Sequence, residues 1–260
     1  MNIPSILIIS GHDPSGAGIQ ADIETVAING CHAVSVLTCI TSQNTFSVKF
    51  VKPISRVDLN SKITTLLEEF KPRVIKIGLV PNSELCEEIA FLIKNLNYKA
   101  MVVLDPIIRA GSGDPLIMES QIEGLKEILI PHATLITPNR FELFQLTKSN
   151  NFLESKEYLF KLGVENMLAT DLVENKNIIT NAFVSTGTDE IVYYSQPRVC
   201  GEFHGSGCTL TSAIACGLVK DKNIKESVLE ALHFTNLAIS NAYQLGTAQK
   251  IPNRSAFIYK

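Results

Sequence analysis

The chain has 260 residues, with 23 basic against 26 acidic side chains, a formal charge of −3 and a hydrophobic fraction of 45%. This apolar fraction and small charge exclude a disordered chain, and the slightly acidic balance argues against a general nucleic-acid partner. A chain of this length can bury a large core. Any anionic ligand must be held by local geometry, because the bulk charge does not attract it.

Apolar strands and helical segments alternate along the first half of the chain. In chain order, the predicted elements are a strand at 5–10, a helix marked by Ile19, Ile23, Val26 and Ala27, a strand at 33–41, a helix at 57–70, a strand at 73–78, a helix at 82–96, a strand at 101–104, a helix near 121–130 and a strand at 134–137. The alternation predicts an α/β fold with a central, mostly parallel sheet and helices on both faces. There is no repeat or flexible linker, so residues 1–260 are predicted to form one domain.

The cysteines and the apolar runs bear on the compartment. The six cysteines form no C-x-x-C pair and have no histidine at zinc-ligand spacing. They are too few for a disulfide scaffold, so we expect reduced thiols and a cytoplasmic location. The first ten residues lack a basic region and run straight into GHDPSG, so they are predicted to contain the first strand and not to form a signal peptide. No apolar run approaches the roughly 20 residues that span a bilayer, so no membrane partner is expected.

Polar or glycine-containing segments follow several of the predicted strands. They occupy residues 11–13, 41–44, 105–106 and 137–139. In sheets of this class, ligands bind beyond the carboxyl ends of the strands. The sequence therefore predicts that these segments meet at one ligand site.

The first glycine-rich segment, residues 11–18, joins the first predicted strand to a helix. Its Gly11 and Gly16 have the spacing of a phosphate-binding P-loop, but Ala17 stands where that loop needs lysine. The segment also lacks the G-x-G-x-x-G spacing of a dinucleotide site, which disfavours a Rossmann dehydrogenase. Two interpretations stay open: a turn that lets a helix N-terminus approach a small ligand, or only a tight turn.

The second glycine-rich segment, residues 203–209, precedes an apolar helix of small residues at 210–219. Its glycines let backbone N–H groups converge, and the helix adds its positive N-terminal dipole, so the segment predicts an anion hole without a lysine. Cys208 lies in the first turn, where the dipole is expected to favour its thiolate. The alternative for Cys208 is a small buried hydrophobic residue, as expected for Cys216.

Six segments carry a resemblance to a known family. The matching segments are SGHDPSGAGIQAD (10–22), TSQNT (41–45), KIGLV (76–80), LDPIIRAGSGDPL (104–116), LIPHATLITPNRFE (129–142) and HGSGCTLTSAI (204–214). In these segments, and weakly in 245–253, the chain resembles the hydroxymethylpyrimidine/phosphomethylpyrimidine kinases of thiamine biosynthesis, of the ribokinase-like superfamily. The segments occur in the family's order, so the resemblance covers nearly the whole chain.

The resemblance implies phosphoryl transfer from ATP, with Mg²⁺, to a pyrimidine hydroxymethyl group and then to its monophosphate. Carried over by matched position, Cys208 is the expected base. The backbone N–H groups of Gly205, Ser206 and Gly207 would form the anion hole. These dipoles suit a reaction in which negative charge develops on the transferred phosphoryl group.

Four further matched positions would hold the pyrimidine. Gln43 would hydrogen-bond its edge, because a side-chain amide offers a donor and an acceptor. Asp22 is expected to face the same pocket, with a solvated helix position as the alternative. Gly11 and Leu79 would line the pocket, and Leu79 replaces a methionine that is usual in the family.

The remaining matched positions would hold Mg²⁺ and the nucleotide. Asp105 and Glu142 are the expected metal ligands, because Mg²⁺ prefers a few carboxylate oxygens and retains water. Asn139 and Thr170 are expected near the nucleotide phosphates. Asn139 can also cap a helix that starts at Arg140, and this role is compatible with the first.

The chain departs from the family between residues 165 and 177. The family has a strand that ends in Lys-Gly-Gly-His, and here Thr170 replaces the lysine while Asp171 and Leu172 replace the glycines. Losing that lysine removes a positive charge from the transferred phosphates, and Asp171 is expected to make the position worse for an anion. Lys176 is a candidate substitute.

Three functions stay open at this point. An active pyrimidine kinase is favoured, a pyridoxal-type vitamin kinase shares the fold and the Gly-Cys loop, and a pyrimidine-binding homologue with weakened transfer would explain Thr170. Related kinases often form dimers or higher oligomers, so a homo-oligomer is expected, with residues 46–50 as a candidate interface.

Overall fold

The computed structural model describes residues 3–256, and within this range nine strands form one sheet. The strands are β1 (Ser5–His12), β2 (His32–Gln43), β3 (Val48–Pro53), β4 (Val74–Ile77), β5 (Met101–Leu104), β6 (Leu135–Ile136), β7 (Asn166–Ala169), β8 (Ile178–Ser185) and β9 (Ile191–Pro197). Their order is β3-β2-β1-β4-β5-β6-β7-β8-β9. The six strands from β2 to β7 in this order run parallel, while β3 pairs antiparallel to β2, and β8 and β9 continue the other edge as antiparallel strands. The predicted α/β fold with a mostly parallel sheet is confirmed.

Helices cover both faces of the sheet. They are α1 (Gly18–Ile28), α2 (Arg56–Glu69), α3 (Ser83–Lys94), α4 (Glu119–Gly124), α5 (Arg140–Thr147), α6 (Phe152–Lys161), α7 (Ser206–Val219) and α8 (Ile224–Ser240). Helices α1, α7 and α8 pack on one face, where Ile6 and Ile8 of β1 point, and α2 to α6 cover Leu7 and Ile9 on the other. The alternation follows from the two-residue period of a strand, so a continuous apolar run serves two cores.

The predicted elements agree with the structure to within a few residues, except near residue 125. The helix expected near 121–130 is α4, and after Gly124 the chain continues in wider π-helical turns (Leu125–Leu129) and a short 3₁₀ turn (Ile130–His132). Pro131 stands inside this stretch and lacks the N–H that a regular helix needs, which explains the early end of the α-helix.

The topology brings the carboxyl ends of the parallel strands to one edge of the sheet. The segments after β1, β2, β4, β5, β6 and β7 therefore lie side by side, as the sequence predicts for a ligand site. Across the described residues, no helix is both long enough and apolar enough to cross a bilayer.

Candidate active site at the carboxyl edge of the sheet

A cavity of about 380 Å³ opens at the carboxyl ends of the parallel strands. Small-molecule sites usually occupy about 300–1,000 Å³, so this volume suits a small aromatic ligand. The cavity is lined by every predicted site residue except Asp22: Gly11, Gln43, Leu79, Asp105, Asn139, Glu142, Thr170, Gly205, Ser206, Gly207 and Cys208. Residues as far apart as Gly11 and Cys208 meet here because Gly11 lies at the carboxyl end of β1 and Cys208 in the first turn of α7, at the same edge of the sheet.

Asp22 lies beneath the cavity and does not line it. Its side chain is fully buried on α1, where Oδ1 lies 2.8 Å from Nζ of Lys76 and accepts a hydrogen bond of 2.7 Å from Ser212. Neither the pocket-facing position nor the solvated one that the sequence suggested is found. The reason is charge pairing, because a buried carboxylate is stable only beside a buried cation and hydrogen-bond donors.

Lys76 is the main residue that the sequence reasoning missed. It stands in the apolar strand β4, fully buried, with Ile75 and Ile77 as neighbours. Burial disfavours its charge, but the carboxylates of Asp22 and Asp105 reverse that effect and raise the pKa of Lys76 above its ordinary value. A lone lysine inside an otherwise apolar strand was the signal available in the sequence, since such a residue must find a buried anion.

The N-terminus of α7, which belongs to the second glycine-rich segment, lines the cavity opposite residues of the first. Gly205 precedes the helix with a φ of +81°, and a Cβ there would lie 2.9 Å from the Cα of Ala17. Both the left-handed backbone and the close approach to the first glycine segment require glycine. The first four N–H groups of a helix have no partner inside it, so those of Gly205, Ser206 and Gly207, together with that of Cys208, are suited to hold an anion.

The pKa of the Cys208 thiol is shifted in the direction opposite to the one expected from the helix dipole. Burial raises the pKa of Cys208 well above its ordinary value, although Lys76 lowers it, and the nearby Asp22 and Asp105 carboxylates raise it further. Burial therefore outweighs the helix dipole and favours the neutral thiol in the ligand-free protein.

Two buried carboxyl groups, Asp105 after β5 and Glu142 on α5, line the same cavity as the start of α7. Burial raises the pKa of Asp105 to about 6, against the opposing charge of Lys76. Burial and the Asp105 charge raise the pKa of Glu142 to about 8, although Asn139, Ile108 and Arg109 lower it. Such a pair favours a bound cation or a shared proton.

Asn139 and Glu142 are held in place by the start of α5. The Asn139 side chain accepts a hydrogen bond of 2.9 Å from the Glu142 N–H, and the Asn139 N–H donates one of 2.9 Å to Glu142 Oε2. This reciprocal capping box confirms the predicted helix start at Arg140. It also fixes the direction of the Glu142 carboxyl group at the wall of the cavity.

In the metal-free protein, we expect the free energy of unfolding to fall as the pH rises toward 8. A carboxyl group whose folded pKa of about 8 lies above its ordinary 4.5 binds more protons in the folded state, so its contribution is complete below about pH 4.5 and is lost as the pH rises through about 8. Urea unfolding between pH 5 and 8 in a chelator measures this slope. Glu142→Gln should flatten the profile, and an unchanged slope in that variant would contradict the assignment.

A buried network joins the two glycine-rich segments and was not predicted. His204 Nε2 contacts Oδ2 of Asp13, its Nδ1 lies 2.9 Å from Oε1 of Gln249, and Ser15 Oγ lies 3.0 Å from Nε2. Burial raises the pKa of Asp13, but the contact with His204 lowers it, and the resulting pKa is below its ordinary value. The network holds the first loop against the start of α7. The partners His204 and Asp13 are 191 positions apart, so no local pattern reveals it.

A second cavity of about 430 Å³ adjoins the first on the side of α8. Its wall includes apolar side chains of α7 and α8, among them Leu210, Leu232 and Ile239, beside the polar Thr235 and Asn236. The two cavities share six lining residues, namely Arg109, Asn139, Thr170, Phe203, Ser206 and Gly207. Ser206 and Gly207, two of the three residues predicted to form an anion hole, therefore lie where the two cavities meet.

Thr170 stands at this junction, directly after β7. Asp171 is neutralised by an ion pair with Arg198, so it does not present the free negative charge that the sequence suggested. Lys176 is exposed and lines neither cavity, which removes it as the substitute for a lysine at position 170.

Comparisons with known proteins agree with this arrangement. The sequence profile described as phosphomethylpyrimidine kinase matches residues 13–253. A hydroxymethylpyrimidine/phosphomethylpyrimidine kinase of Streptomyces coelicolor is 31% identical over 94% of this chain and 91% of its own length. The solved phosphomethylpyrimidine kinase of Clostridium difficile 630 is 31% identical, covers 92% of this chain and all of its own, and superposes with a TM-score of 0.76.

A second solved structure supports the fold. Pyridoxal kinase from Staphylococcus aureus, in complex with pyridoxal, superposes with a TM-score of 0.87 over 99% of this chain and 95% of its own, at 24% identity. At that identity the likeness concerns the ribokinase-like fold alone. From the profile match and the S. coelicolor and C. difficile relatives, the chain belongs to the phosphomethylpyrimidine kinase family and is a kinase.

Proposed function

We propose that this kinase transfers the γ-phosphoryl group of ATP to hydroxymethylpyrimidine and then to the resulting monophosphate, as its family does for thiamine biosynthesis. The observation that carries the proposal is the pair of adjoining cavities with the start of α7 at their junction. The first cavity, which Gln43 lines, would hold the acceptor and is called the acceptor cavity. The second, on the side of α8, would hold ATP and is called the nucleotide cavity. Transfer requires the acceptor oxygen and the γ-phosphorus to meet beside donors that stabilise charge, and the junction offers this position.

Gln43 is the proposed reader of the pyrimidine. Its side-chain oxygen is shielded from solvent and has no hydrogen-bond partner among residues 3–256, and the residue lines the acceptor cavity. An unsatisfied buried acceptor is costly, so a ligand that donates an N–H there gains affinity. The exocyclic amino group of the pyrimidine is such a donor.

Cys208 is the proposed base. In the first transfer, the substrate oxygen forms a bond to the γ-phosphorus while the bond from that phosphorus to the β,γ-bridging oxygen breaks, and the hydroxyl proton passes to the Cys208 sulfur. Before the acceptor binds, the thiol must lose its own proton to solvent in the cavity, and Lys76 is the buried cation that favours this loss. The N–H groups of Gly205, Ser206 and Gly207 would hold the transferred oxygens.

Asp105 and Glu142 fit a divalent cation. Asp105 Oδ2 is buried with no hydrogen-bond partner among the described residues, and both carboxyl groups line the acceptor cavity. No cluster of three metal-ligating side chains occurs among residues 3–256, which is compatible with Mg²⁺ because this ion usually keeps several waters. When bound, Mg²⁺ would neutralise phosphate charge and offset the two carboxylates.

The compartment and the assembly stay predictions from the sequence. A cytoplasmic location and a homo-oligomer are proposed on the grounds given above. Phe46, in the turn between β2 and β3, and Phe50, within β3, are largely exposed and would lie at such an interface.

One assay tests the proposed function. ADP release is measured with ATP and Mg²⁺ and, separately, hydroxymethylpyrimidine, its monophosphate and pyridoxal. We expect saturable turnover with both pyrimidines and a kcat/KM for pyridoxal at least tenfold lower, because the chain belongs to the pyrimidine kinase family. Turnover with pyridoxal alone, or tight pyrimidine binding without ADP release, would overturn the proposal.

A further inference from the structure

The junction of the two cavities requires a positive charge. In the proposed function, on which this inference rests, the γ-phosphoryl group crosses from the nucleotide cavity to the acceptor cavity at this point. Negative charge spreads over its oxygens during transfer, and positive side chains that touch it accelerate the reaction. Thr170, which lines both cavities, is neutral and cannot supply that charge.

Among the described residues that line these cavities, Arg109 is the one lysine or arginine that belongs to both. Arg140 and Arg198 line the nucleotide cavity only, and each is engaged with a carboxylate, Glu174 at 3.0 Å for Arg140 and Asp171 for Arg198. Lys76 is buried against Asp22 and lines neither cavity. Arg109 is therefore the basic side chain that lines both cavities and has no carboxylate partner among the described residues.

The Arg109 side chain is positioned by an aromatic ring. Its guanidinium carbon lies 3.5 Å from the centroid of the Phe141 ring, at the start of α5. Within residues 3–256, no carboxylate comes within 4.0 Å of the Arg109 guanidinium. Stacking uses the face of the guanidinium and leaves its N–H edge available to an oxyanion.

The backbone that carries Arg109 is also held in place. Arg109 and Pro115 form an antiparallel bridge, the Ala110 N–H donates to Asp114 O at 2.8 Å, and the Leu116 N–H donates to Ile108 O at 3.0 Å. This small hairpin directly follows Asp105, the proposed metal ligand. Arg109 is thus held on both sides, by its own hairpin and by α5.

We propose that Arg109 is a further catalytic residue, whose guanidinium contacts the transferred phosphoryl group and supplies the positive charge that Thr170 lacks. The planar guanidinium can donate two parallel hydrogen bonds to phosphate oxygens. Its charge does not depend on pH in the working range. No proton moves in this contact, so the bonds made and broken are those of the transfer itself.

Binding measurements test the contact without turnover. Calorimetry compares ADP with ADP plus aluminium fluoride, which mimics the transferred phosphoryl group, in the presence of Mg²⁺ and the pyrimidine. Arg109→Ala should weaken the aluminium fluoride complex about 10²-fold, the usual loss for one electrostatic donor, and change ADP affinity by less than about threefold. Arg73→Ala, an exposed arginine paired with Asp221 outside both cavities, should change neither affinity. Equal losses for both complexes, or no loss in Arg109→Ala, would overturn the proposal.

Kinetics test the relation between Arg109 and Thr170. Arg109→Ala should lower kcat about 10²- to 10³-fold with both hydroxymethylpyrimidine and its monophosphate. Adding Thr170→Lys should recover at least tenfold of that loss. An increase in KM for the monophosphate with kcat unchanged would show a role in acceptor binding and overturn the proposal. A double variant no more active than Arg109→Ala would also overturn it. Wild-type protein without pyrimidine turnover would instead refute the proposed function itself.

Discussion

Replacing Cys208 with alanine is expected to lower kcat on hydroxymethylpyrimidine by about 10²- to 10⁴-fold, the usual contribution of a general base. Cys208 lies in the first turn of α7, lines the acceptor cavity and is the base that the family resemblance implies. Steady-state ADP release at saturating ATP measures the effect. The KM for the pyrimidine should change little, since the thiol is not expected to hold the ring.

A matched control separates chemistry from packing. Cys216 lies on the same helix, is also buried and lines no part of the acceptor cavity. Cys216→Ala should therefore retain kcat while removing a buried sulfur of the same kind. Cys208→Ser should restore little activity, because a hydroxyl gives up its proton far less readily than a thiol. Near-normal turnover in Cys208→Ala would show that another group accepts the proton.

Replacing Lys76 with methionine is expected to lower the free energy of unfolding by about 3–5 kcal/mol, the usual cost of removing one partner of a buried ion pair. The change leaves the Asp22 carboxylate fully buried without its cation, 2.8 Å from where Nζ stood, and removes the cation that lowers the pKa of Asp105. Urea unfolding at pH 7.5 without ligands measures the loss. Because the uncompensated carboxyl groups can take up protons, the defect should shrink as the pH is lowered toward 5.

The double variant Lys76→Met with Asp22→Leu tests the cause. Replacing both members of a buried pair with apolar residues is often neutral, so this variant should recover most of the lost stability even though it changes two core positions. A loss below about 1 kcal/mol in Lys76→Met, or no recovery in the double variant, would contradict a buried ion pair. Turnover is not the readout here, because Lys76 also favours loss of the Cys208 proton.

The sequence by itself determined the fold class and most of the site. Apolar strands alternating with helices predicted a parallel sheet, and a parallel sheet places the residues after its strands at one edge. That argument, joined to the family resemblance, was enough to put Gly11, Gln43, Asp105 and Asn139 around one cavity before any contact was known. The Asn139 cap was predictable too, because a capping box is encoded within four residues.

Only the tertiary structure decided the charges of the site. Asp22 has the same place on its helix whether it faces a ligand or the core, and the choice depends on Lys76 and Ser212, which are far away in the chain. The pKa of the Cys208 thiol depends on burial and on Lys76, Asp22 and Asp105, so the local helix dipole alone does not determine it. Arg109 became a candidate only when the second cavity showed which cation faces the junction. The physical reason is common to all three: strand ends and caps depend on neighbours in sequence, while pairing and desolvation depend on neighbours in space.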